Sequence, residues 1–469
     1  MRKLTLTLLL FVPLLSFSQN CDCKFNFEWA KNTFEENDAG FEYALNNKGK
    51  EVYTKHNSLF AKKVGGISNK KQCAKLINEW LTFFRKGHLG FYAKDTEEEI
   101  LDNHESVDNI DHQKFEKYLS SKRSIDFEGI WKSDTYTVGV KKINGIYKGF
   151  VMQVSSGKWK PGEVKFYINP DSSGVYHMGD YSEYPFKKAE LFEGQILNMN
   201  GIYFTKVFPK TEEINPNIQR YLRLINASNP SIEKVNEETC LLRIPSFGLN
   251  QKKAIDSLLD NHINEITSNR NLIIDLRGNG GGAGKSYDKL LPILYTDPIK
   301  TIYWEHLSTV LNNKRWEEWL QNSDLTEQNR KFLLGVSEKL NNNIGDFVYV
   351  YDNEGYELFE QDFQYKNPQN IALLVDENNA SASEQFLLSA NQSSKVKVFG
   401  RVTYGALDMS EVNQVVSPDG NFVLAYCLTK SLRLPDFPID GIGIQPDYYL
   451  DKSVLPYNWI EFVLDVYKE

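Results

Sequence analysis

The chain runs to 469 residues with 54 Lys and Arg against 62 Asp and Glu, a formal charge of −8. That acidic balance argues against nucleic acid as a partner, while the length suffices for two or three domains around a large buried core. The five cysteines make an odd total, Cys21-Asp22-Cys23 has the wrong spacing for a zinc ribbon, and no His-Glu-x-x-His cluster occurs, so neither metal nor cofactor is expected.

Residues 1–18 read as a secretory signal. Arg2 and Lys3 form the charged start, Leu4 to Leu15 the apolar core, and Ser16-Phe17-Ser18 a small-x-small exit. That core is short for a transmembrane helix and no later run reaches the length of a span, so a periplasmic or extracellular chain without a transmembrane span is expected. Phe17-Ser18-Gln19-Asn20 ahead of Cys21 lacks the small aliphatic pattern of a lipid-attachment box. Outside the cytoplasm, one disulfide joining Cys73 to Cys21 or Cys23 is expected.

Residues 19–122 read as an N-terminal helical region. The periodicity is weak at Phe27, Ala30 and Phe34 and clear at Cys73, Ile77, Trp80, Leu81 and Phe84, where it follows one helix face. This stripe delivers His88 from the end of a packed helix, a rigid mount for a chemical group. Residues 94–122 are charged and read as a connector with a short helix. From 123 to 210 the character changes to aromatic and β-branched runs broken by Gly, Asn and Pro. Thr135–Val140, Gly149–Val154, Val164–Ile168 and Ile202–Val207 read as strands, predicting an inserted antiparallel barrel or sandwich of roughly six to eight strands.

Residues 211–469 read as an α/β domain. A helix near Asn215–Leu224 is followed by a strand at Cys240–Ile244, an amphipathic helix through Ala254–Ile266, and buried strands at 271–275 and 371–375. Helical material is expected from Glu305 to Leu340, a helix at Ser383–Ala390, a strand at Val396–Phe399 and further strands near Gly420–Thr429. Each of two apolar strands hands over to small residues: Asp275-Leu276-Arg277-Gly278-Asn279-Gly280-Gly281-Gly282 after one, Asn379-Ala380-Ser381-Ala382-Ser383-Glu384 after the other. Backbone N–H groups at such handovers point at a ligand. A serine there, with glycine amides beside it, is equipped to attack a carbonyl and to hold the oxyanion that results.

The same residues admit other readings. Ser-Ala-Ser before a helix also serves as an N-cap through Ser381 or Ser383. Gly284-Lys285-Ser286 after the glycines suggests a phosphate loop, but Asn279 stands where that loop's first glycine belongs. Gly278-x-Gly280-x-x-Ala283 only brushes the dinucleotide fingerprint, with no acidic strand end about twenty residues on. Arg277 is expected to pair internally.

The two blocks together resemble the tail-specific and tricorn-type serine peptidase family. So do Phe399-Gly400-Arg401-Val402-Thr403-Tyr404-Gly405, like its Gly-x-x-Thr-x-Gly segment, and Gly441-Ile442-Gly443-Ile444-Gln445-Pro446-Asp447, like its closing Gly-x-x-Pro-Asp element. The resemblance implies a crotonase-like β-β-α spiral for the catalytic domain and a protein or peptide substrate. It places the nucleophile on Ser381 and the oxyanion donors on Ala382 with Gly280 or Gly281, and it gives Glu384 and Thr403 supporting roles. The lysine that serves the tail-specific branch as base is replaced by Ala406, so the tricorn-like arrangement is expected, with His88 as base and Asp440 as its orienting acid. Gly87 stands where that branch keeps a serine, so the relay between acid and imidazole is expected to be direct or water-bridged. The β-rich segment lacks a PDZ-like Gly-Leu-Gly-Phe loop and resembles a lipocalin-like barrel. The expected function is a serine peptidase working through an acyl-enzyme; the rivals are a non-catalytic apolar-ligand or peptide-binding protein on the same fold, and an esterase.

Overall fold

The computed structural model describes residues 21–94, 105–107, 111–122, 124–210 and 213–468; the signal at 1–18 and part of the 94–122 connector lie outside the described residues. The chain divides into two compact units, Glu97–Leu224 and the remainder.

The larger unit carries a sheet whose strands run 231–236, 239–243, 271–275, 370–375, 396–400 and 448–449 across it, antiparallel at the first pair and parallel thereafter. Parallel strands need crossovers. Helix Leu249–Ser268 supplies one and helix Ala382–Ala390 another. Strands Thr239–Arg243 and Asn271–Asp275 are buried at every position, which is why their sequences are apolar without alternation. Because Asp275 pairs with Leu374 in parallel register, the glycine turn and the Ser381 turn leave the same edge of the sheet side by side.

A second sheet in this unit is antiparallel and centres on Phe422–Ser431, which pairs with 90–93 and 304–307 on one side and with 409–416 on the other. Glu305–Leu307 is thus strand rather than helix; the expected helical material begins at Val310, as helices Val310–Leu320 and Glu327–Asn341. Four residues carry too short a pattern to declare their partners.

The helix Lys70–Leu81 starts where Asn69 accepts from the Gln72 amide at 3.0 Å. It buries Cys73, Ala74, Ile77, Trp80 and Leu81. Trp80 meets Phe27 and Phe34 edge to face at 5.6 and 5.8 Å, and the cluster continues through Phe91 onto Phe422 and Leu424 of the sheet. A Cys23–Cys73 disulfide ties the first helix to this one; Cys21, Cys240 and Cys427 are buried free thiols. Strand Gly90–Ala93 then registers Gly90 opposite Ala425, so the turn bearing His88 is fastened to residues more than three hundred positions away.

In the smaller unit, nine strands among the described residues form one antiparallel sheet in the order 183–186, 174–177, 164–168, 146–154, 136–143, 129–132, 202–208, 196–199, 189–192, nearly closing on itself. Two hairpins turn on Asn144-Gly145 (φ 51° and 87°) and Asn200-Gly201 (φ 53° and 93°). Both residues of such a turn need left-handed backbone, which Asn and Gly tolerate best. The core is aromatic and aliphatic, with Trp131, Val138, Phe166 and Phe204 fully buried.

Candidate functional site

At the sheet edge, Asn379 binds the two turns together. Its Nδ2 donates to the carbonyls of Leu276 (2.7 Å) and Asn279 (3.1 Å) and to Ser383 Oγ (3.0 Å), and its Oδ1 accepts from the Asp376 amide at 2.7 Å. Sequence reasoning quoted this residue without giving it a role. Ser381 sits at φ 56°, ψ −125°, a conformation that costs an L-residue free energy and is held only where surroundings enforce it. Such strained strand-to-helix turns lift a serine hydroxyl clear of the backbone.

Glu384 is the enforcing group. Its carboxylate accepts from Thr403 Oγ1 and from the amides of Gly405 (2.8 Å), Ala406 (2.9 Å) and Ser381 (3.3 Å), while Thr403 Oγ1 accepts from the Ile444 amide at 2.7 Å. Burial pushes its carboxyl up against the pull of those donors. The Ser381 amide also reaches the Ala406 carbonyl at 2.9 Å, so the 403–406 segment and the serine turn form one hydrogen-bonded body.

Gly281, at φ 99°, packs straight onto the serine turn: a Cβ there would lie 2.5 Å from the Ala380 carbonyl oxygen and 2.8 Å from Ser381 Cβ. Its amide donates to Asn279 Oδ1 at 2.9 Å. The amides of Gly280, Gly282 and Ala382 meet no acceptor among the described residues, and Gly282 and Ala382 line the cleft beside Ser381. Gly282 was not singled out from sequence, because three consecutive glycines offer no way to tell their amides apart. Beneath the turn, Arg277 pairs internally with Asp275 through Nε (2.9 Å) and Nη2 (2.6 Å), as expected.

His88 (φ 57°) lines the same cleft of about 810 Å³ as Ser381. Its Nδ1 lies 2.6 Å from the Met409 carbonyl oxygen. A carbonyl only accepts, so Nδ1 carries a proton, and in the neutral ring Nε2 is the nitrogen with the lone pair. The turn is clamped from behind by Arg85, which donates to the carbonyls of Gly87 and His88 (both 3.2 Å) and forms a two-pronged pair with buried Asp38 at 2.7 and 2.6 Å. No hydrogen bond joins Ser381 to His88 among the described residues; without substrate such contacts are commonly long.

Asp440 forms no hydrogen bond with the ring among the described residues. Its Oδ1 accepts from the amides of Leu407 (2.6 Å) and Asp408 (2.7 Å), and Asp408 Oδ2 accepts from the Asp440 amide in return at 2.7 Å. Asp440 Oδ2 receives no hydrogen bond from the described residues, and the partner of the ring's Nδ1 is the main-chain carbonyl of Met409, two residues beyond Leu407. Burial, with Asp408 alongside, pushes the Asp440 carboxyl above its ordinary value.

The Peptidase family S41 model matches residues 238–450. No curated protein sequence matches the chain. Among solved structures, mature CPAF is 12% identical, with 95% of this chain and 96% of that one covered at a TM-score of 0.51. CPAF complexed with lactacystin gives 12%, 95%, 97% and 0.52. The photosystem II D1 C-terminal processing protease gives 15%, 93%, 95% and 0.38. The likeness to CPAF is one of fold. Residues 238–450 are a serine-type peptidase domain, that of a hydrolase.

Proposed function

We propose that this S41 peptidase domain, completed by His88 from the N-terminal helices, hydrolyses peptide bonds in proteins or peptides through an acyl-enzyme. The supporting observation is that a strained serine, unpaired amides and a histidine with a free Nε2 border one cleft. Ser381 Oγ attacks the carbonyl carbon as His88 Nε2 takes its proton. The oxyanion is received by the amides of Ala382 and of Gly280 or Gly282, since that of Gly281 is engaged by Asn279. The C–N bond then breaks as His88 returns the proton to the leaving amine, and water repeats the sequence on the ester.

Ala406 occupies the place of the tail-specific lysine, which supports a tricorn-like base. A Cβ on Gly87 would come 2.6 Å from Ala406 Cβ, so the two small residues favour each other, and the serine of the tricorn pattern has no room here. The succession of strands and crossover helices supports the crotonase-like spiral reading. The leader-like residues 1–18 and the Cys23–Cys73 disulfide support export to the periplasm or beyond.

The test is labelling with a fluorophosphonate followed by peptide mapping. The label is expected on Ser381, absent from Ser381→Ala, together with cleavage of an unfolded protein substrate by the wild type. Labelling that persists in Ser381→Ala refutes the assignment.

A further inference from the structure

We propose that the cleft contains a subsite for a carboxamide side chain, that of asparagine or glutamine, built on Gln385 and Arg433; the proposal rests on the peptidase reading and names its substrate class. Gln385 follows Ser381 by one helical turn, its amide donating to the Ser381 carbonyl at 2.9 Å, and its side chain lines the cleft.

The orientation of that side chain is fixed by its partner. Arg433 Nη1 lies 3.1 Å from Gln385 Oε1, and a guanidinium only donates, so the oxygen of Gln385 is turned toward Arg433 and its NH2 group away from it. That NH2 has no acceptor among the described residues. Arg433 is itself buried, lines the cleft, and has an Nε–H without an acceptor among the described residues. That Nε is itself buried, so Arg433 acts on the cleft through the orientation it imposes on Gln385. The Gln385 NH2 group is thus the donor presented to the cleft beside the nucleophile, held in place by Arg433, and it asks for an oxygen.

Charge selects which oxygen. The Arg433 guanidinium is already neutralised by Asp408 Oδ1 at 3.0 Å. The cleft wall further carries Asp288, Glu357 and Glu411 against one other cation, Lys285, so its balance is acidic. A substrate carboxylate would meet like charges with no free cation at the donors, whereas a carboxamide offers the same carbonyl oxygen without the charge and adds an NH2 for the wall carboxylates.

Quenched-peptide libraries, varied at the residues flanking the scissile bond, test this on the whole chain. Wild type is expected to favour Asn or Gln over Leu and over Lys at one flanking position by roughly tenfold in kcat/KM, the worth of about one net hydrogen bond. Gln385→Glu keeps an oxygen for Arg433 but replaces the substrate-facing NH2 with an acceptor. Its Gln-to-Lys selectivity ratio is expected to shift toward Lys by roughly tenfold to a hundredfold. Gln385→Met should lose the preference without gaining one for Lys. A flat wild-type profile, a wild-type preference for Asp or Glu, or a Gln385→Glu profile identical to wild type overturns the proposal; the wild-type profile alone decides if the variants do not fold. Fluorophosphonate labelling of the same preparations separates the two readings. Labelled, peptide-cleaving protein with a flat profile defeats the subsite alone, whereas no labelling and no cleavage defeats both.

Discussion

His88 Nδ1 donates its proton to the main-chain carbonyl of Met409 across 2.6 Å, and Asp440 acts one step removed, on the amides of Leu407 and Asp408 that lead into that carbonyl. The two arrangements differ in what they predict. A carboxylate bonded directly to a catalytic imidazole loses roughly 10⁴-fold in kcat on amidation, because the tautomer is disturbed. Here Asp440→Asn retains an oxygen for both amides and is expected to lose less than about tenfold, since the charge itself never touches the ring. His88→Ala should lose roughly 10³-fold or more, with the base gone. Steady-state kinetics on the three proteins check this ordering.

Arg85 and Asp38 form a buried pair whose arginine also holds the His88 turn. Removing one member leaves the other uncompensated, at a cost of about 3–5 kcal/mol. Arg85→Ala is therefore expected to lower the urea midpoint strongly. Adding Asp38→Asn should return part of that stability while kcat stays depressed, because the clamp on the Gly87 and His88 carbonyls is still missing.

Gly87 and Ala406 exclude larger side chains from each other's position. Gly87→Ser should reduce kcat/KM by roughly tenfold or more by pushing the histidine turn away from the serine turn. Ala406→Gly in the same protein is expected to restore much of it. A double-mutant cycle measures the coupling, and simple additivity of the two effects would count against the contact.

His306 lies buried against Trp316 with both ring nitrogens without partners among the described residues, and burial lowers its pKa to about 4. Unfolded, the imidazole takes a proton near pH 6.5. Between these values the unfolded chain binds more protons, so stability rises with pH across that window. The contribution is full above about pH 6.5 and is lost as pH falls toward 4, on the order of 3 kcal/mol. His306→Phe should flatten the acid limb of a denaturation series between pH 4 and 6.5.

The parallel strands and their two turns were legible because burial on both faces writes a continuous apolar run, and because Gly and Ser at a strand end are chosen for backbone geometry. Ser381 and Glu384 could be picked out for the same reason. The Met409 carbonyl could not, since a main-chain oxygen has no residue-type signature and any side chain at 409 would supply it. The Asp38–Arg85 pair was hidden by its separation of 47 positions, and strand Trp304–Leu307 by drawing its partners from two separate later segments, Phe347–Val348 and Thr429–Ser431. The amides of Leu407 and Asp408 that Asp440 accepts from were hidden in the same way: sequence reports that a carboxylate is present, and only coordinates report which donors it meets.

The pairing of Gly90–Ala93 with Phe422–Ala425 bears on when the molecule becomes competent. During synthesis, Ser381 emerges from the ribosome some forty residues before the strand that seats the histidine turn, and Met409 precedes that strand as well. A nascent chain therefore holds its hydroxyl and its imidazole unassembled until nearly the whole polypeptide has been made.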